Sequence, residues 1–265
     1  MHNEQCNTSV VIPCFKSAAG SAAGLQEALV IGAGSTDATE ARLAPSVGGR
    51  AGTLRRSELK LHLGCGAEVF DGWVNVDYAL GAWLAKVPLF RVFNRKLKIF
   101  NLDWDPRIHL HDLTRKFPWQ DESAGVVYSS HTLEHFSRKD GRHFLAECHR
   151  VLKKGGIIRI VVPDLGYIAR QYLGGELPAD QFLHALGVLY GMYGNNRLKN
   201  RLAFLFEFPH KCMYDAPTLQ QILEEIGFQA ASRGPFESDI HDIRQMELEH
   251  RTRHAVIVEG RKKQL

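Results

Sequence analysis

The stretch Leu59-Lys60-Leu61-His62-Leu63-Gly64-Cys65-Gly66 decides how the chain reads. Leu59, Leu61 and Leu63 alternate with Lys60 and His62, the period-2 pattern of a strand. The strand runs into a Gly-x-Gly turn, where missing side chains let backbone N–H groups approach a bound ligand. About ten residues later Trp73-Val74-Asn75-Val76-Asp77 reads as a second strand that ends in a carboxylate. A glycine turn after one strand and an acid at the tip of the next is how open α/β sheets hold a nucleoside. The glycines lie under the linker and the carboxylate meets the ribose hydroxyls.

Outward from this pair the alternation continues. Ile108-His109-Leu110-His111-Asp112-Leu113 is a short strand ending in Asp112, and Ala124 to His131 is a further buried strand followed by Thr132-Leu133-Glu134-His135-Phe136. Residues 139 to 152 place Phe144, Leu145, Cys148, Val151 and Leu152 on one helix face, and Gly155-Gly156 is expected to stop that helix. Ile157 to Pro163 is the next strand. Repeated strand-helix alternation predicts an α/β fold with a doubly wound, mostly parallel sheet. Tyr167 to Phe208 is helical and irregular, Thr218 to Ile226 is an amphipathic helix stopped by Gly227, and His254 to Glu259 is expected as a last edge strand.

Composition bounds the function. The 265 residues are 45% hydrophobic and 23% charged, ordinary for a globular chain with a sizeable core. The formal charge is +4, with Lys and Arg spread along the sequence, which argues against nucleic acid as a partner. Five Cys without a C-x-x-C pair suggest neither a disulfide framework nor a zinc knuckle, and fit a reducing, cytoplasmic setting. No apolar run approaches a membrane span and the N-terminus lacks a basic export region. Trp83 to Phe100 mixes aromatic residues with Arg91, Arg95, Lys96 and Lys98; this surface could lie against a membrane or an acidic acceptor, or form a lid over the sheet.

The first 56 residues read as an extension. Ser9-Val10-Val11-Ile12-Pro13-Cys14-Phe15 and Gly34-Ser35-Thr36-Asp37-Ala38-Thr39 resemble the start of a family-2 glycosyltransferase, with Ala33 where that family has an aspartate. We read the segment as a degenerate remnant or packing extension, joined by a flexible linker around residues 44–52. Gly32-Ala33-Gly34 also echoes a nicotinamide-binding turn, but Asp37 stands where the third glycine belongs.

From residue 57 onward the chain resembles the class I S-adenosylmethionine-dependent methyltransferases, and among them the small bacterial enzymes associated with surface polysaccharides. The resemblance rests on Leu-His-Leu-Gly-Cys-Gly (61–66), Gly-Trp-Val-Asn-Val-Asp (72–77), Asp112-Leu113, Val-Val-Tyr-Ser-Ser-His-Thr-Leu-Glu-His-Phe (126–136) and Glu-Cys-His-Arg-Val-Leu-Lys-Lys-Gly-Gly (147–156). It implies a Rossmann-like seven-stranded sheet with a helical lid inserted after strand five, over residues 57–265. It implies S-adenosyl-L-methionine as cofactor, with Gly64, Cys65 and Gly66 under its methionine part, Asp77 on the ribose, Asp112 and Leu113 beside the adenine, and Ser130 and His131 lining the crevice. Only about ten residues separate Gly66 from Asp77, so that crossover must be a loop or one turn. This leaves one sheet face thinly covered, a place residues 1 to 50 could fill.

A hydroxyl acceptor must lose a proton, and histidine titrates in the right range to take it. His210, in Phe208-Pro209-His210-Lys211-Cys212-Met213-Tyr214-Asp215, is the first candidate for base or acceptor contact, with His135 beside it; Glu134, Lys211 and Tyr214 are candidate substrate contacts. His131-Thr132-Leu133-Glu134-His135 spells H-x-x-E-H, an inverted zinc-protease motif, but the zinc reading needs a helix that puts both imidazoles on one face, and no metal is assigned. The resulting expectation is methyl transfer to a hydroxyl or amine of a sugar or glycolipid precursor of a surface polysaccharide. The alternative is a non-catalytic cofactor-binding accessory protein docked to a glycosyltransferase.

Overall fold

The protein forms one mixed sheet of seven strands in the order β3-β2-β1-β4-β5-β7-β6, known from a computed structural model that describes residues 58–88, 104–189 and 208–264. The strands are β1 (Leu59–Leu63), β2 (Val74–Asp77), β3 (His109–Leu110), β4 (Ala124–Ser130), β5 (Leu152–Pro163), β6 (Phe228–Ser232) and β7 (Ala255–Lys262). β1 lies inside the sheet with β2 and β4 parallel on either side, so the chain winds outward in both directions from it. The crevice at the carboxyl ends of β1 and β4 is the switch point where open α/β sheets bind ligands.

Among the described residues the helices are α1 (Leu80–Ala85), α2 (Arg138–Val151), α3 (Leu165–Leu173), α4 (Ala179–Ala185), α5 (Ala216–Ile226), α6 (Ile243–Met246) and α7 (Glu249–Thr252), with a 3-10 turn over Leu133–His135. α2 starts where the Ser137 side chain accepts a hydrogen bond from the Asp140 N–H. α5 starts the same way from Asp215 to the Thr218 N–H and is stopped by Gly227 at φ +121°. α3 and α4 follow strand five, as expected of the helical insertion.

Alternation along the strands sorts side chains into two layers. Leu61 and Leu63 of β1 and Ile158, Ile160 and Val162 of β5 pack with Phe144, Leu145 and Cys148 of α2 and Leu219 and Leu223 of α5. On the opposite face Tyr128, Ile157, Val161 and Ile257 pack with Trp73, Ile240, Ile243 and Met246. The short crossover between β1 and β2 holds no helix, as expected, yet the face beneath it is covered by the segment around α6. Apolar residues from the far end of the chain do what a crossover helix would.

Three expectations are corrected. α2 ends at Val151, before the glycine pair, because Leu152 already pairs with Ala124 and begins β5. The last strand, β7, is not an edge: it runs antiparallel between β5 and β6. The edge is β6, whose alternation of one buried and one exposed residue is confined to five positions. β3 spans only two residues, shorter than the 108–113 expected. The glycosyltransferase-like segment, the linker, the nicotinamide-like turn and most of the basic-aromatic stretch Trp83 to Phe100 lie outside the described residues. Among the described residues no helix is long and apolar enough to cross a membrane.

Candidate active site

Gly64, Cys65 and Gly66 turn the chain away from β1 toward β2. Their N–H groups are already spent: those of Gly64 and Cys65 donate to the Val76 carbonyl at 2.9 and 3.0 Å, and that of Gly66 donates to Asp77 Oδ2 at 2.8 Å. The turn therefore offers a ligand close approach, not free donors. The two glycines have different reasons. At Gly64, φ +72°, a Cβ would lie 2.1 Å from Thr132 Oγ1, so packing demands glycine. At Gly66, φ +58°, a Cβ would meet nothing within 4 Å, so this residue faces open space. The Cys65 side chain is buried, and burial holds its thiol well above the usual range, which removes it as a nucleophile.

Asp77 caps the second strand. Its Oδ1 accepts from the N–H groups of Tyr78 and Ala79 at 2.7 and 2.8 Å, and Oδ2 from Gly66. A carboxylate has about four lone-pair directions, so three donors leave room for one more. Burial pushes its pKa up to about 6, against the pull of the three N–H groups. A buried anion with an unfilled lone pair, beside a glycine that opens on free space, is a cradle that fits one ribose hydroxyl.

Asp112 is occupied by its own turn. Its Oδ1 accepts from the Thr114 N–H and hydroxyl, and Arg115 Nε approaches Oδ2 at 3.3 Å. Leu113 is fully buried in the main core.

The second half of the site is built where β4 ends. His131 sits at φ +51°, an uncommon conformation for a residue with a side chain. Its Nε2 lies 2.8 Å from the Arg251 carbonyl and its Nδ1 is 3.4 Å from Glu134 Oε1. The carbonyl only accepts, which places a hydrogen on Nε2, and the Nδ1 approach to Glu134 is an ion-pair contact, not a hydrogen bond. Burial opposes charge on both partners, but their attraction wins: it raises His131 and lowers Glu134. Thr132 joins the two halves, its hydroxyl 3.4 Å from the Gly64 carbonyl and 3.2 Å from that of Ser130.

The 3-10 turn then presents Glu134 and His135 toward the segment ahead of α5. The N–H groups of Lys211 and Cys212 both donate to the Glu134 carbonyl, at 2.8 and 3.0 Å, which locks His210 against the turn. The rings of His135 and His210 meet edge to face with centroids 4.9 Å apart. His135 Nε2 lies 4.0 Å from Glu134 Oε1, and burial drives this imidazole down to about 4, so it is neutral near pH 7. His210 Nδ1 is 2.8 Å from the Leu186 carbonyl, an acceptor only, which places the hydrogen on Nδ1 and leaves the Nε2 lone pair free. Of the other expected contacts, Lys211 is exposed, while Tyr214 is buried in the main core and pairs with Asp164.

Residues 61–160, from β1 into β5, match the sequence family described as a methyltransferase domain. The matched stretch is 100 of the 265 residues. Two solved structures that the chain is similar to are an S-adenosylmethionine dependent methyltransferase from Mesorhizobium loti (14% identity, 78% of this chain and 91% of that one, TM-score 0.42) and the PH0226 protein from Pyrococcus horikoshii OT3 (13% identity, 80% and 84%, TM-score 0.44). No curated protein matches the sequence.

Sequence reasoning found Glu134, His135 and His210 but not what joins them. Gly187 and Leu186, which seat the His210 ring, and Thr132, which seats Gly64, were missed. Their roles rest on contacts between residues far apart in the chain, and no local pattern announces them.

Proposed function

We propose that this protein is an S-adenosylmethionine-dependent methyltransferase that methylates a hydroxyl or amine of a sugar or glycolipid precursor of a surface polysaccharide. The observation that carries the reading is the meeting of Glu134, His135 and His210 next to the glycine turn and Asp77, joined to them through Thr132. When bound, the cofactor supplies a methyl group on a sulfonium, already a good leaving group. The chain's own residues then supply alignment and handling of the acceptor's proton.

In this reading Asp77 and the open side of Gly66 hold the nucleoside. His210 faces the acceptor through Nε2 and receives the proton, its ring held in one tautomer by the Leu186 carbonyl. Neutral His135 packs against it, and Glu134 supplies the negative charge that balances the imidazolium formed. Lys211, exposed next to His210 in the chain, is assigned in this reading to an acidic group on the acceptor. The choice of sugar or glycolipid follows the resemblance to the polysaccharide-associated enzymes and the glycosyltransferase-like N-terminal segment.

Methyl transfer from labelled S-adenosylmethionine to a panel of sugar nucleotides and lipid-linked sugars tests it. Labelled product with one of these classes is expected, with kcat lowered about 100-fold or more in His210→Ala. Transfer to small amines or proteins alone would replace the acceptor class, and no turnover by a protein that binds the cofactor would favour the accessory reading.

A further inference from the structure

The Glu134-His135-His210 cluster contains an imbalance that acid-base catalysis does not resolve. Glu134 is completely buried, yet neither carboxylate oxygen makes a hydrogen bond among the described residues, and the buried Nδ1 of His135 has no partner either. Buried polar atoms are normally hydrogen-bonded, and a buried carboxylate above all. The His131 ion pair, at 3.4 Å, engages only Oε1. One donor atom from each of Glu134, His135 and His210 lies within 4.8 Å of the others. Around an ion with bonds of about 2.1 Å, tetrahedral donors sit about 3.4 Å apart, so small side-chain rotations close the set.

We propose that Glu134, His135 and His210 bind one divalent cation of the zinc class, two imidazoles and a carboxylate holding it with a further position open to water or to an acceptor oxygen. Two imidazoles and a carboxylate are a donor set suited to such ions. The set is supported from behind as metal-binding histidines usually are: the His210 Nδ1–H donates to the Leu186 carbonyl, which leaves the other nitrogen free to ligate. The backbone of Lys211 and Cys212 fixes the segment carrying His210 to the turn carrying the other two. Gly187, at φ +67°, is the seat of the ring, since a Cβ there would fall 2.5 Å from it. The H-x-x-E-H motif therefore contributes its Glu and second His, and the other imidazole comes from the segment before α5, not from His131. His131 keeps its ion pair with Glu134. An ion here would bind an acceptor hydroxyl and make its proton easier to lose, taking over the role given above to His210 as base. That consequence rests on the proposed methyl transfer; the binding of the ion does not.

The test is titration of the full chain, stripped with a chelator, with Co2+ and then Zn2+. One equivalent of Co2+ is expected to bind and give the visible bands of a four- or five-coordinate centre, bleached by Zn2+. Glu134→Gln and His210→Asn should lose the bands, and Gly187→Ala, which alters no donor, should bind at least about 10-fold more weakly. His241→Ala, which removes an exposed histidine elsewhere, should change nothing. Bands absent in the parent protein, or unaltered in both Glu134→Gln and His210→Asn, would overturn the proposal. Circular dichroism checks that each variant is folded; Glu134→Gln removes a buried charge and His210 is only half-buried, so at least one folded variant is expected. Titration of the same samples with S-adenosylhomocysteine separates the two claims, since cofactor binding without cobalt bands defeats the metal site and leaves the methyltransferase reading in place.

Discussion

Asp77 shows how one side chain can link folding to cofactor binding. Burial raises its pKa from 3.8 to about 6. The folded state thus holds this proton more tightly than the unfolded chain. Its contribution to stability is therefore full below pH 3.8 and is lost as pH rises through 6, a cost of about 3 kcal/mol for the buried carboxylate at neutral pH. A ribose hydroxyl donating to the remaining lone pair would offset part of that cost, and only for the ionised form. The affinity for S-adenosylhomocysteine should accordingly be level above about pH 7 and fall about tenfold per unit below 6. Asp77→Asn should bind weakly with no such dependence. Calorimetric titration between pH 5 and 8 checks this, and a flat profile in the parent protein would remove Asp77 from the ribose.

At the scale of elements, the turn after β1 and the turn after β4 are one assembly. Gly64 is pressed against Thr132, and Gly66 opens on space. Gly64→Ala combines an unfavourable left-handed backbone with a Cβ 2.1 Å from a hydroxyl, and should cost about 2–4 kcal/mol in urea unfolding. Adding Thr132→Ala should return part of this. Gly66→Ala carries only the backbone term, about 1 kcal/mol, but should weaken S-adenosylhomocysteine binding more than Gly64→Ala relative to its effect on stability. Equal losses from the two substitutions would mean that both glycines serve packing alone. The sequence showed the turn and its glycines plainly, but the difference between them depends on Thr132, brought alongside by the parallel pairing of β1 with β4.

Across the whole molecule, Arg159 in the middle of β5 ties the sheet to the segment that covers its second face. Fully buried, it donates from Nε to Glu247 at 2.7 Å, from Nη1 to the Glu237 carbonyl at 2.8 Å and to Glu259 at 3.3 Å, and from Nη2 to the Gly234 carbonyl at 3.0 Å. Glu247 also accepts from the Phe236 N–H at 2.6 Å. Removing the cation leaves two carboxylates buried without it. Arg159→Met should therefore destabilise by about 3–5 kcal/mol, and Arg159→Met with Glu247→Gln by less, because the second change removes one stranded charge. Chemical denaturation of the single and double variants checks the order. In the sequence, Arg159 is simply a charged residue inside an apolar strand, and nothing local names its partners.

What the sequence determined by itself was everything with a short period or a short range. The alternation of Leu59, Leu61 and Leu63, the glycine turn, the acid ending β2 and the apolar face of α2 are set by neighbours within a few residues, so the mostly parallel α/β fold and the missing crossover helix could both be read. The tertiary structure decided what depends on distant segments. β7 inserts antiparallel between β5 and β6 because the sheet offers it two open partners, and α6 covers the face that a crossover helix would have covered. His131, Glu134, His135 and His210 became a cluster only when the segment before α5 hydrogen-bonded to the turn after β4. A strand's pattern reports which of its faces is buried, but not which distant residue buries it, and the chemistry of this site lies in that second fact.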